Sequence, residues 1–276
     1  MVGCGLMGRG IVQVCAQAGF PVVVSEVNDE LLQKGLSAIE ASLDRSLQKG
    51  KLTPQEKDAT LSRIKGTTDI GEFGDCDLII EAAAENLDLK KQIFRELDGI
   101  CPAHTILATN TSSLPVSDIA ASTKRPAKVL GMHFFNPVPV MKLLEMVRTE
   151  ATSEETFNAA KYFGQSLDKT IVVAKDSPGF IVNRLLAPQI LNAIQMLESG
   201  IATKEDIDTG MTLGLNYPMG PLTLADFIGL DTLLSIADSI YDKLRDAQYA
   251  APALLKNMVA NGNLGRKTGK GFYDYT

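Results

Sequence analysis

The opening of the chain constrains its fold more than any other stretch. "GCGLMG" places Gly3, Gly5 and Gly8 in a G-x-G-x-x-G pattern. Alone this pattern is a weak signal. Here a helical run over 9–18 follows it, then a β-rich run, "PVVVSE" (21–26), with Glu26 at its end. An acidic residue about 20 positions beyond the first glycine completes the fingerprint of a dinucleotide-binding βαβ unit. Each glycine has a predicted task. Gly3 permits the tight turn, Gly5 lets the backbone approach a pyrophosphate, and Gly8 lets helix and strand pack closely. The helix N-terminus then offers its unpaired N–H groups and its dipole to phosphate. One feature fits poorly: only Met1 and Val2 precede Gly3. The first strand therefore reads as truncated, through a late start or a shortened form.

The alternation continues downstream. "DLIIEAA" (77–83), "TILATN" (105–110), "VLGMHFF" (129–135) and "TIVVAKD" (170–176) read as buried strands. "LDLKKQIFRELDGI" (87–100) reads as one of the helices between them, and "KLLEMVR" (142–148) as a strand that breaks the rhythm. Such βα alternation predicts a parallel sheet covered on both faces. A long amphipathic helix over 28–51 and a shorter one from Pro54 form a helical hairpin near 28–64. Beyond "KDSPGFIVNR" (175–184) the pattern turns helical, roughly 180–199, 203–213, 221–246 and 251–260. We therefore expect an α/β, Rossmann-like domain over 1–178 followed by an all-helical domain over 179–276.

Composition narrows the possible partners. A net charge of −6 gives no global attraction to nucleic acid or to an anionic membrane. No apolar run approaches the ~20 residues of a membrane span. Four scattered cysteines and no secretory leader point to the reducing cytoplasm. No cluster of metal ligands is visible, so any proton transfer falls to a side chain.

Two histidines are available. His104 lies in a polar connection and reads as a surface residue. His133 ends a strand at the edge where ligands bind in parallel sheets. Pro137 and Pro139 turn the chain out of that strand, so residues 142–147 can return beside it and bring Glu145 to the ring. A carboxylate–histidine dyad follows, able to act as general acid and base. A buried structural histidine accounts for the same position. Asn110, Thr111, Ser112, Ser113, Asn136 and Asn183 also stand at strand ends or at the start of the helical half, where capping is the competing use.

These segments, with "IIEAAAENLDLKKQIF", "ATNTSSLPVSDIA", "GMHFFNPVPVMKLLEMV", "YPMGPLTLADFIGLD" and "GRKTGKGFYDY", resemble the L-3-hydroxyacyl-CoA dehydrogenase family over nearly the whole chain, and most of all its stand-alone bacterial members. The resemblance implies an NAD-linked oxidation of a short-chain (S)-3-hydroxyacyl-CoA, with 3-hydroxybutyryl-CoA and acetoacetyl-CoA as the pair. It implies His133 as the base, paired with Glu145, and Ser112 and Asn183 on the substrate. Glu26 would meet the adenosine ribose; Glu85, Lys90, Asn136 and Lys267, with Ser112, would add further cofactor contacts. Ser42 and Lys49 would meet the CoA moiety, and Lys49 with Lys51 would supply the positive charge its phosphates need. The helical half would form a homodimer. Two alternatives stay open: a non-catalytic dinucleotide-binding or structural protein on the same fold, and a dehydrogenase of a free hydroxy acid. The latter would want an arginine clamp for the carboxylate, and only Arg184 is a candidate.

Overall fold

A computed structural model describes residues 1–276. The chain divides into two compact units, Met1–Ser177 and Pro178–Thr276. The first contains, in order, α1 (Leu6–Gln17), β1 (Val22–Ser25), α2 (Asp29–Gln48), α3 (Pro54–Leu61), β2 (Ile64–Thr67), β3 (Leu78–Glu81), α4 (Leu87–Ile100), β4 (Ile106–Thr109), α5 (Val116–Ala120), β5 (Val129–Phe134), β6 (Leu143–Arg148), α6 (Glu154–Ser166) and β7 (Thr170–Lys175). Strand β2 and helix α6 carry weaker sequence signals than their neighbours and were not foreseen.

The strands pair in the order β3-β4-β5-β6-β7, and β2-β1 join β3 through the short segment around Val2. All pairs are parallel except β5–β6, so "KLLEMVR" does break the rhythm. Met1–Gly3 lie between β1 and β3. Val2 bridges Ser25 on one side and Glu81 on the other, and it exchanges hydrogen bonds with Ile80 and Ala82. The chain therefore leaves this central segment toward β1 and later returns on its other side as β3. Such a switch point opens a crevice at the C-terminal ends of the strands.

Neighbouring residues of one strand point to opposite faces, and both faces are covered. Ile80, Ala108, Leu130, Met132 and Phe134 join Ile11, Val12, Leu32, Ile39 and Leu43 in one apolar core. Ile79, Leu107 and Val129 join Phe73, Phe94, Leu97 and Ile119 in the other. Burial of each such aliphatic or aromatic side chain contributes about 1.5–3 kcal/mol. Helix α2 begins with Asn28 accepting from the Leu31 N–H at 2.9 Å. Its buried residues, Leu32, Gly35, Ile39 and Leu43, recur at helical spacing. Gly35 lies so close to Cys4 that a Cβ there would overlap the thiol. Helix α3 opens on a full capping box between Thr53 and Glu56.

The second unit is helical: α7 (Val182–Glu198), α8 (Lys204–Leu215), α9 (Pro221–Ile228), α10 (Leu230–Leu244) and α11 (Ala253–Ala260). The run expected as one helix over 221–246 is two helices, broken at Gly229, whose φ of 99° leaves the helical region. Ile190, Leu191, Ile194, Leu222, Leu230, Leu233, Leu255 and Phe272 form its core. The C-terminal tail is held by Asp226, which is 1% exposed and accepts N–H groups of Phe272 and Tyr273 at 2.9 Å.

Candidate active site

The glycine turn comes first. Gly3 has φ 89°, and a Cβ there would meet the Ala82 carbonyl oxygen at 2.9 Å. A Cβ on Gly8 would overlap the Gly3 carbonyl. Both positions therefore need glycine for reasons internal to the fold. Gly5 does not: its φ is −68°, and a Cβ there would have nothing of the protein within 4 Å. The missing side chain at Gly5 leaves room for something that is not protein. Gly5 is also the N-cap of α1 and supplies no side-chain cap, so the first-turn N–H groups stay available to an anion. The turn fits a dinucleotide pyrophosphate.

Glu26 follows β1. Its Oε1 accepts the Cys4 N–H at 2.7 Å and its Oε2 accepts the Val27 N–H at 3.1 Å. These bonds fix the carboxylate beside the glycine turn. Each oxygen keeps a lone pair, so two ribose hydroxyls can still donate to it.

His133 is placed by the sheet. It stands directly opposite Glu145 in the antiparallel β5–β6 register. Nδ1 lies 2.8 Å from Glu145 Oε2, with His133 7% exposed and Glu145 fully buried. A carboxylate accepts, so Nδ1 carries the proton, and this tautomer leaves Nε2 as the basic nitrogen. The His133 ring also lies 4.5 Å, centroid to centroid, from Phe135. Asn110 contributes by a different route than capping. Its Oδ1 accepts the Phe134 N–H at 2.9 Å and ties the end of β4 to the residue after the histidine.

The loop from β5 to β6 is held by a residue with no obvious sequence signal. Lys169 is buried and donates to the Val138 and Met141 carbonyls at 2.6 and 2.7 Å. Burial pulls its ammonium below the usual lysine range. By clasping that loop it sets β6 in register, and so sets Glu145 across from His133.

Ser112 lies just beyond β4. Its N–H donates to Glu85 Oε1 at 2.9 Å, and its hydroxyl to the same oxygen at 3.3 Å. Thr111 Oγ1 donates there too, at 2.5 Å. Asn136, just after β5, is exposed. Lys90 is 1% exposed, with Nζ 2.6 Å from Glu81, so its ammonium is turned into the fold. Ser42 lies half-buried on α2, and Lys49 is exposed at its C-cap. In the second unit, Asn183 is buried in the first turn of α7, and Lys267 pairs with Asp231.

Two sequence profiles cover the chain: that of the 3-hydroxyacyl-CoA dehydrogenase NAD-binding domain matches residues 1–177, and that of the 3-hydroxyacyl-CoA dehydrogenase C-terminal domain matches 179–275. The chain belongs to the 3-hydroxyacyl-CoA dehydrogenase family. A probable 3-hydroxybutyryl-CoA dehydrogenase of Bacillus subtilis is 49% identical over all of this chain and 96% of its own length. Two crystal structures resemble the fold throughout. FadB2 of Mycobacterium tuberculosis superposes with a TM-score of 0.98 at 45% identity, covering 100% of this chain and 97% of that one. The (S)-3-hydroxybutyryl-CoA dehydrogenase of Ralstonia eutropha gives 0.96 at 47% identity, with the same coverage. Within this 3-hydroxyacyl-CoA dehydrogenase, the first unit is the NAD-binding domain, and the cofactor is NAD.

Proposed function

We propose that this protein catalyses the reversible oxidation of (S)-3-hydroxybutyryl-CoA, or a similarly short 3-hydroxyacyl-CoA, to the 3-oxoacyl-CoA. The observation that carries this reading is the His133–Glu145 pair, buried at the C-terminal end of β5. NAD, when bound, supplies the hydride acceptor. Gly3, Gly5 and Gly8 would hold its pyrophosphate and Glu26 its ribose. Glu85, Asn136 and Lys267 are the further candidates for its contacts.

The chain's own work is proton transfer and orientation. His133 Nε2 takes the proton of the 3-hydroxyl during oxidation and returns it during reduction. Glu145 fixes the tautomer and stabilises the imidazolium that results. Ser112 donates to the 3-oxygen, and Asn183 orients the acyl group. Ser42 and Lys49 meet the CoA moiety, where a net-negative protein needs local positive charge. His133→Gln should lower turnover by roughly 100-fold or more, because general acid–base catalysis contributes about that much. NADH affinity, read by fluorescence titration, should stay unchanged. Near-normal turnover would return His133 to a structural role.

Fatty-acid or butyrate metabolism in the cytoplasm suits such a reaction, and four free cysteines suit a reducing setting. No helix is long and apolar enough to cross a membrane. We further assign the second unit to a homodimer interface. Leu185, Leu213 and Leu215 there are 69%, 82% and 60% exposed, apolar surface of the kind that marks an interface. Sedimentation equilibrium should return twice the 29.7 kDa chain mass. A monomer at micromolar concentration contradicts the assignment.

A further inference from the structure

Residues 111–115, between β4 and α5, carry Ser112 and pair with no strand. Their backbone N–H groups are satisfied by side chains instead. Thr111 donates to Thr109 Oγ1 at 3.3 Å, and Ser112 to Glu85 Oε1 at 2.9 Å. Ser113 and Leu114 donate to Thr111 Oγ1 at 3.3 and 2.9 Å. Pro115 has no N–H and, as the N-cap of α5, offers no side-chain cap. The next two N–H groups, of Val116 and Ser117, would be orphans of the helix start. Asp176, 60 positions beyond Val116, accepts both. Its Oδ1 lies 3.2 Å from the Val116 nitrogen and its Oδ2 2.7 Å from that of Ser117.

Asp176 is itself fixed. It follows β7, and its N–H donates to the Arg148 carbonyl, at the end of β6, at 2.9 Å. A second contact seats the segment on the sheet. A Cβ on Gly131, in β5 shortly before His133, would lie 3.2 Å from Val116 Cγ2, and Val116 is fully buried. The bare glycine lets the start of α5 lie against β5.

We propose that Asp176 is a positioning residue: a helix cap supplied from beside the edge strand, it fixes the segment that carries Ser112. Glu85 and Asp176 are the two acceptors from outside the segment. Glu85 is exposed and a candidate cofactor contact, so its oxygens are shared with a ligand. Both oxygens of Asp176 are given to the backbone. Strand β6 carries Glu145 and pairs with β7, so one strand orders the dyad and, through Asp176, the serine expected on the 3-oxygen. The consequence for turnover rests on the reading of Ser112 given above; the positioning itself does not.

Asp176→Ala removes the cap. Asp176→Asn keeps an acceptor oxygen, and asparagine caps about as well as aspartate. Amide hydrogen exchange and steady-state reduction of acetoacetyl-CoA are both measured with NADH saturating. In Asp176→Ala, exchange over 111–117 should rise about 5-fold, as loss of one cap implies, with β5 unchanged. Turnover should fall about 10-fold, well within what a misplacement of about 1 Å costs. In Asp176→Asn both should stay within about 2-fold of the parent. Ser112→Ala supplies the readout that a merely structural role would not move. Once that hydroxyl is gone, adding Asp176→Ala should lower turnover by less than about 2-fold, because coupled groups are not additive.

Parent-like exchange over 111–117 in Asp176→Ala would overturn the proposal. So would exchange that rises equally in β5, or an undiminished fall in turnover when Asp176→Ala is added to Ser112→Ala; either would make Asp176 structural only. A parent inactive on acetoacetyl-CoA, or Ser112→Ala with parent-like turnover, would count against the proposed function, while the exchange measurement would still decide the positioning.

Discussion

Burial assigns the cysteines and the dyad to different chemistry. Cys4 sits inside the glycine turn, and burial, with Glu26 adding negative charge nearby, pushes its thiol up to about 11. Burial pushes Cys15 up to about 12. Both start from an ordinary value of 9.0, so the folded protein holds them protonated where the unfolded chain does not. Their contribution to stability is complete below pH 9 and is lost as pH rises toward 11–12. Reactivity follows the thiolate fraction. At pH 8, maleimide with peptide mapping should label half-buried Cys76 first and leave Cys4 and Cys15 unmodified over the same period. Equal labelling of Cys4 would mean that the glycine turn opens readily. Of the supporting residues, Glu81 carries a sequence signal: a carboxylate in the apolar run "LIIEAA" needs a buried partner, and Lys90 is nine positions on. Lys169 had none, because its partners are backbone carbonyls about 30 positions upstream.

At the scale of elements, the hairpin of α2 and α3 has two features with different explanations. Its inner face is packing: Gly35 seats α2 against Cys4 and so supports the glycine turn. Its outer end carries Arg45, Lys49 and Lys51, and a helix C-terminus favours cations without any ligand. The two accounts of the lysines differ in kinetics. Lys49→Ala with Lys51→Ala should raise the Michaelis constant for acetoacetyl-CoA several-fold at low salt and spare turnover, as loss of uniform binding does. The difference should shrink at high salt. An unchanged Michaelis constant would leave the lysines as a solvated helix end. Strands β1 and β3–β7 were legible from apolar runs bounded by turn residues. β2, "IKGT", was not, since a lysine and a glycine interrupt it, and pairing with β1 together with packing against Leu32 and Leu36 of α2 recruits it. The break at Gly229 was missed because apolar periodicity runs through it.

For the whole molecule, the division near residue 178 was readable because strand runs end there and helical periodicity begins. The dyad was readable as a possibility only. Two prolines allowed β6 to return, but the register that sets Glu145 across from His133 depends on Lys169 and on pairing with β7. Family membership fixes the fold and the cofactor, and the substrate is the claim that remains to be measured. The most direct test is steady-state NADH oxidation by the purified protein with acetoacetyl-CoA and, separately, with free acetoacetate. The account predicts a specificity constant for the CoA ester at least ~100-fold above that for the free acid, the equivalent of about 2.7 kcal/mol of transition-state binding drawn from the CoA moiety. Equal specificity constants, or turnover of the free acid alone, would contradict it.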